Sequence, residues 1–335
     1  MADKALLGPW VRRFLLEHLV GERNLARNTQ QSYRDCLAML LPYVSRKQKK
    51  PIDQILVSDL SGETVKGFLD WLERERKCSI RTRNQRLSSI HAMAHFIAER
   101  SPEHIACCGG IRSVPFKRFD RPALPYLDKP EIDALLAAPD RTRPQGFRDY
   151  ALLLFLYNSG ARVSEAASLR VADLDLRQSG MSSAKLFGKR RKTRHCPLWP
   201  AAAKDLMALT QNRAADQPVF VNRLGGPLTR HGIYLLLRRY VRKASTGCPS
   251  LQRKRISPHT IRHTTATHLL RSGVDINTVR AWLGHVSIDT THIYTEIDLE
   301  RKAHMLAQCS TFKGAKRQKG RWRQDSSLMA FLRSL

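Results

Sequence analysis

Long apolar runs are missing from this sequence. The longest unbroken one, Ala151 to Tyr157, falls far short of the roughly 18 residues that a membrane-spanning helix needs, so no spanning segment is expected. A secretory pattern is missing as well. Leu15, Leu16, Leu19 and Val20 are interleaved with Arg12, Arg13, Glu17 and His18 at helical spacing, which leads us to expect an intracellular, cytoplasmic protein. No C-x-x-C pair and no histidine at zinc-ligand spacing accompany the seven cysteines, Cys36, Cys78, Cys107, Cys108, Cys196, Cys248 and Cys309. Their odd number fits reduced thiols acting as small hydrophobes, and no metal is expected. A Walker motif, an acidic metal cluster and an internal repeat are also absent, so no cofactor is expected.

Negative charge is scarce too. Asp and Glu number 29 against 58 Lys and Arg, a formal net charge of +29 that calls for a polyanionic partner. Nucleic acid fits that charge, and a membrane interaction is not expected. A chain of 335 residues can hold two compact domains, each with its own core.

What is present is mostly helical periodicity. From Leu6 to about Ile111 the pattern predicts a small helical bundle with no alternation long enough for a sheet. In one helix Thr29 can cap the start while Tyr33, Leu37, Leu40 and Leu41 share a side; another runs from about Gly62 through Val65, Phe68, Leu69 and Leu72. A third spans Arg81 to Arg100, its stripe formed by Leu87, Ile90, Met93, Ala94 and Ile97. Its first turns carry Arg81, Arg83, Asn84 and Arg86, and cations there oppose the helix dipole. A DNA phosphate backbone would compensate them, and a solvated basic face is the competing explanation. Arg27 and Thr29 join this group of candidate DNA contacts.

Between Arg112 and Pro125, three prolines and four cations predict an extended strap and a domain boundary. Beyond it, Asp128 or Lys129-Pro130 opens a helix through Ile132, Leu135 and Leu136, and a longer apolar helix over Arg148 to Asn158 ends at Gly160. The region from Leu174 to Leu198 reads as a small sheet, with a hairpin of Ser183 to Phe187 and Thr193 to Leu198 around a basic turn at Gly188 to Lys192. Helices resume at Thr229. One of them carries Arg238, Arg239, Arg242 and Lys243, further candidates for lining DNA. The expected divisions are residues 1–111, a linker over 112–125, a second domain over 126–310 and a basic tail over 311–335.

Chemistry concentrates late in the chain. In Ser257-Pro-His-Thr-Ile-Arg-His, the serine is a natural cap, the proline sits at the first helical position, and Gly273 lies past the end. His259 and Arg262 then share a face where backbone donors also favour an anion. For this motif alone a surface polar pair is the better explanation, so the helix needs corroboration. Asp275 caps a further helix from Ile276 to Leu283, Gly284 ends it, His285 follows, and Tyr294 comes nine positions later.

The string Leu-Gly-His-Val-Ser-Ile-Asp-Thr-Thr-His-Ile-Tyr resembles the C-terminal signature of the tyrosine recombinases, the lambda-integrase and Xer-like family. Upstream, Asn158-Ser-Gly-Ala-Arg-Val-Ser-Glu resembles that family's first arginine motif, and Ser-Pro-His-Thr-Ile-Arg-His its H-x-x-R motif, in the family's order. The resemblance covers roughly Asn24 to Leu306. It implies a mainly α fold with a small antiparallel β-sheet, made of a helical, SAM-like core-binding domain and an α+β catalytic domain. It places Arg162, Lys189, His259, Arg262, His285 and Tyr294 on the family's active-site positions, with Tyr294 the nucleophile. It also implies double-stranded DNA recombination sites as partners, a homotetramer acting on two of them in a C-shaped clamp, and accessory DNA-bending proteins. In the family a C-terminal segment docks on a neighbouring subunit, a part open here to Leu299 to Leu306 or to the final apolar piece.

Physical chemistry supports the same roles. Attack by a phenol on a phosphodiester builds charge on the nonbridging oxygens, which the guanidiniums of Arg162 and Arg262 can clamp at any relevant pH. Tyrosine ionises near pH 10, so His259 is the candidate to help remove its proton. The leaving 5'-oxygen needs a proton, which the resemblance assigns to Lys189 on the hairpin tip. Relatives carry Gly-Lys-Gly there, whereas this chain has Gly188-Lys189-Arg190-Arg191-Lys192, which leaves Lys192 open as the alternative donor. His285 would hydrogen-bond the phosphate, and Glu165 would support Arg162. Trp282 and Leu283 are read as core residues, and His263 and His268 as local packing or surface polar groups. A type IB topoisomerase would use similar chemistry on one duplex, and a DNA-binding regulator could keep the fold alone. The intact site residues count against the regulator, and the helical N-terminal domain and Leu-Gly-His motif against the topoisomerase. Heavy positive charge and the basic tail favour a mobile-element integrase over a chromosome-dimer resolvase.

Overall fold

The computed structural model describes residues 5–119, 125–188 and 192–284. Its contacts divide the chain into two compact units, Met1–Pro122 and Ala123–Leu335. Among the described residues no helix is long and apolar enough to cross a membrane.

The first unit holds α1 (Leu7–Arg13), α2 (Arg27–Gln48), α3 (Gly62–Arg74), α4 (Ile80–Arg100) and α5 (Ile105–Arg112). Ser61 and Ser79 cap α3 and α4 by accepting the Thr64 and Thr82 amide hydrogens. Thr29 does not cap α2: that helix starts two residues earlier, behind Ala26, and Thr29 lies inside its first turn. The stripes of α2, α3 and α4 meet in one core that includes Leu37, Leu40, Phe68, Leu69, Leu87, Ile90 and Met93. Running on from α1, Phe14–Glu22 winds as a π-helix. The wider turn brings Phe14 and Leu19, five residues apart, into the core and leaves Leu16 and Val20 exposed, so the α-periodic stripe expected there does not form.

Much of the expected linker is fastened to this unit. Val114 is buried in its core, Phe116 packs edge-on to His91, and Lys117 pairs with Glu73.

The second unit opens with α6 (Lys129–Ala137), whose Asp128 cap amide donates to Glu131, and α7 (Pro144–Ser159). Every residue of α7 from Ala151 to Ser159 is buried, which explains a run too apolar to show a face. Gly160 ends the helix in the left-handed conformation, and α8 (Val163–Ala167) follows at once. Strands β1 (Leu174–Asp175), β2 (Ser183–Phe187) and β3 (Thr193–Pro197) form an antiparallel sheet in that order, with Lys185 opposite His195 and Phe187 opposite Thr193. Ala184, Leu186 and Cys196 face the core.

Four helices complete the described part: α9 (Pro200–Thr210), α10 (Arg230–Ala244), α11 (Pro258–Arg271) and α12 (Ile276–Leu283). The caps read from the sequence, Ser257 and Asp275, hold α11 and α12, and Gly284 closes α12 in the left-handed region. Helix α11 runs through the interior with Thr264 and Thr265 buried. Their hydroxyls donate to the Thr260 and Tyr157 carbonyls, which satisfies polar groups that burial would otherwise penalise.

Candidate active site

Arg262 joins three stretches of the sequence. From the buried side of α11 its Nη1 donates to the Gly160 carbonyl at 2.6 Å, and its Nη2 donates to the Leu283 carbonyl at 2.6 Å. Gly160 lies inside the Asn158–Glu165 motif and Leu283 opens the Leu-Gly-His motif. The side chain thus sits where α7, α11 and α12 converge, and it is 4 % exposed. Trp282 reinforces the junction by donating its Nε1 hydrogen to the Asn158 carbonyl at 3.1 Å. Gly160 is needed there because its φ is +57° and a Cβ would lie 2.4 Å from Leu283 Cδ2.

Arg162 caps α8 and is held by Glu165. The carboxylate accepts the Arg162 backbone N–H at 2.9 Å and its Nη1 at 2.7 Å. Sequence reasoning missed a second partner residue, Arg194 on β3, whose Nη2 donates at 2.8 Å to Oε2, the oxygen that also accepts the Arg162 backbone N–H. Burial of Glu165 by itself would raise its pKa. The hydrogen bond and charge of Arg194, followed by the Arg162 amide and guanidinium, outweigh that and hold it below the usual carboxylate range. Of the two arginines, Arg162 is the more open, with its side chain 21 % exposed against 10 % for Arg194.

The basic hairpin ends against this cluster. Gly188 donates its N–H to the Lys192 carbonyl at 2.7 Å, and a Cβ on Gly188 would lie 3.6 Å from Glu165 Oε1 and 3.7 Å from Arg162 Nη1. Lys192 is exposed at this base. His259 is exposed on the first turn of α11, one turn before the buried Arg262. His263, behind it, is pushed down to about 4 by burial first and then by the charges of His259 and Arg262, so it is neutral at pH 7. His268 packs with Tyr157, whose hydroxyl lies 2.8 Å from its Nδ1. Lys189, His285 and Tyr294 lie outside the described residues.

The comparisons decide what this arrangement belongs to. The profile described as Phage integrase family matches residues 125–301, and that described as Phage integrase, N-terminal SAM-like domain, matches residues 12–101. The chain is 37 % identical to "Putative integrase/recombinase y4rC" of Sinorhizobium fredii over all of both chains. It is 33 % identical to the tyrosine recombinase XerC of a Roseiflexus species, over 84 % of this chain and 88 % of that one. The chain belongs to the tyrosine recombinase family. It is therefore a site-specific recombinase, an enzyme that cleaves and rejoins DNA. The fold agrees with two solved structures. A XerH site-specific recombinase matches at TM-score 0.65 and 20 % identity, over 88 % of this chain and 83 % of that one. The Tn1549 transposon integrase matches at TM-score 0.65 and 17 % identity, over 85 % and 94 %.

In this recombinase the expected DNA-facing residues fall into two groups. Arg27, Thr29 and Arg81 are exposed on the first turns of α2 and α4, and Arg238, Arg239, Arg242 and Lys243 are exposed on α10. Others are occupied by the protein itself. Arg83 is 4 % exposed and pairs with Glu73 at 3.5 Å while donating to the Pro115 carbonyl at 3.0 Å, so it anchors the strap and does not face DNA. Asn84 holds both the N–H and the carbonyl of Lys117, and Arg86 donates to the Ser32 carbonyl. The cationic crowding on α4 is thus compensated largely by neighbouring helices. Arg239 does both: its side chain is 58 % exposed, yet it pairs with the fully buried Asp149, which also takes the Tyr240 hydroxyl.

Proposed function

We propose that this recombinase exchanges strands between two double-stranded DNA sites through a 3'-phosphotyrosine on Tyr294, on behalf of a mobile genetic element. The observation that carries the proposal is the Arg262 guanidinium, which binds the first arginine motif on one side and the end of α12 on the other. That single side chain gathers motifs lying about a hundred residues apart in the sequence.

In the reaction, Tyr294 Oη forms a bond to the scissile phosphorus while the bond to the 5'-oxygen breaks. His259 assists departure of the phenolic proton, and Lys189, or Lys192 beside it, supplies a proton to the leaving oxygen. Arg162, Arg262 and His285 stabilise the charge on the nonbridging oxygens. The phosphotyrosine conserves bond energy, and attack by a different 5'-hydroxyl reverses the steps without ATP. Arg27, Thr29, Arg81, Arg238, Arg239, Arg242 and Lys243 contact the duplex, four protomers act on two sites in the cytoplasm, and DNA-bending proteins assist.

The mobile-element role is supported by the relative named an integrase/recombinase, by the shared fold with a transposon integrase, and by the net charge of +29. A Xer-like dimer resolvase is the second reading, favoured by the identity to a XerC protein. Incubating the protein with a duplex nicked beside the cleavage point tests the chemistry. The wild type accumulates a covalent protein–DNA complex and Tyr294→Phe does not; a complex formed equally by Tyr294→Phe would refute the nucleophile.

A further inference from the structure

Arg194 has no part in the roles assigned above, yet from β3 it touches two of the elements that build the site, α8 and α12. It projects from the second residue of β3, the strand that returns from the basic hairpin. Its Nη2 donates to Glu165 Oε2 at 2.8 Å and its Nε donates to the Trp282 carbonyl at 2.9 Å. It also lines Gly284, where a Cβ would lie 3.1 Å from its Cδ and 3.3 Å from its Nη1. Gly284 immediately precedes His285.

The charge count explains why a second arginine matters. Glu165 is fully buried at 2 % side-chain exposure, and a carboxylate paired with Arg162 alone would neutralise the guanidinium meant for the phosphate. Two guanidiniums on one carboxylate leave a surplus positive charge. Because Arg194 is the more buried of the two, the surplus is presented by Arg162. Meanwhile the Arg194 and Arg262 side chains cap consecutive carbonyls at the end of α12, those of Trp282 and Leu283, where cations also complement the helix dipole.

We propose that Arg194 is a positioning residue of DNA cleavage: it offsets Glu165 so that Arg162 stays charged toward the phosphate, and it fixes the α12 terminus that leads to His285. The proposal rests on the assignment of Arg162 to the scissile phosphate.

Single-turnover cleavage of the nicked duplex, measured beside the dissociation constant for the same DNA, tests it. Arg194→Met is expected to lose about 10- to 100-fold in cleavage rate, the size of effect seen for residues that orient the ligands of a metal site, with affinity changed less than about threefold. The decisive readout is Arg194→Met combined with Glu165→Gln. Glutamine still accepts the Arg162 N–H but carries no charge, so the double variant is expected to cleave at least about threefold faster than Arg194→Met. A purely structural Arg194 predicts the reverse, a double variant as slow or slower, and that result overturns the proposal; so does an Arg194→Met enzyme that cleaves at the wild-type rate. If Arg194→Met cannot bind DNA, Arg194→Lys carries the test, with cleavage expected to fall about three- to tenfold at unchanged affinity. Wild-type speed in that variant, or parallel loss of affinity and rate, overturns the proposal. A wild-type protein that forms no covalent complex would instead overturn the underlying reading of the site.

Discussion

Replacing Gly160 by alanine probes the junction on which the site depends. At φ +57° an alanine pays the left-handed penalty, about 1–2 kcal/mol. Its Cβ would also sit 2.4 Å from Leu283 Cδ2 in the buried interior, which adds overpacking strain of about 1–3 kcal/mol, while Thr265 Cγ2 at 3.5 Å is in ordinary contact. Gly160→Ala is therefore expected to destabilise the second unit by about 2–5 kcal/mol, measured by urea unfolding of the full chain. The steric part can be separated. Leu283→Ala alone costs about 2–5 kcal/mol as a buried truncation, but it removes the clashing atom. Adding Gly160→Ala on top should then cost only the backbone penalty, about 1–2 kcal/mol. The two changes are thus coupled by about 1–3 kcal/mol. Strictly additive effects, or a Gly160→Ala protein within about 0.5 kcal/mol of wild type, would refute the reasoning.

Three other outcomes follow from the same geometry. Arg83→Ala should destabilise the first unit by about 1–3 kcal/mol, because the Pro115 carbonyl loses its donor and Glu73 loses one of its two cationic partners. Arg81→Ala should leave stability alone and reduce the slope of log affinity against log salt by about 0.9; equal behaviour of the two in melts and titrations would contradict this division. Asp149→Asn should cost about 3–5 kcal/mol, since Arg148, Arg239 and Tyr240 converge on one buried carboxylate, and a chemical denaturation midpoint unchanged from wild type would contradict it. His263 takes up a proton near 6.5 when unfolded but only near 4 when folded, so its contribution is complete above pH 6.5 and is lost as the pH falls toward 4. His263→Gln should flatten the decline in unfolding free energy across that window, and an unaltered slope would argue against a neutral buried imidazole.

The sequence was most legible where local chemistry sets the structure. Ser257, Pro258, Asp275 and Gly284 act where their capping preferences put them, and the first arginine motif and the H-x-x-R motif fall on elements that meet. Legibility failed where distant partners decide. Arg83 looks like Arg81 in sequence, and only the approach of Glu73 from α3 and the Pro115 carbonyl separates a buried anchor from an exposed cation. Arg194 was hidden in a basic hairpin because its partners lie 29 and 88 residues away. The signal that could have raised it was an arginine following the hairpin at a strand position beside the inward Cys196. The π-helical turn at Phe14–Glu22 escaped for a different reason: a 3.6-residue period fits the same leucines and says nothing of the wider winding that buries Phe14 and Leu19. Helix α9, opened by Pro200, was passed over because its alanine-rich stretch shows little contrast between faces.

The central claim is that Tyr294 becomes joined to DNA at a site built around Arg162 and Arg262. Trapping the complex on a nicked duplex, digesting protein and DNA, and sequencing the peptide that keeps a nucleotide by mass spectrometry tests it most directly. The account predicts a 3'-phosphate ester on the Tyr294 peptide. An adduct on another residue, or linkage to a 5'-phosphate, would contradict it.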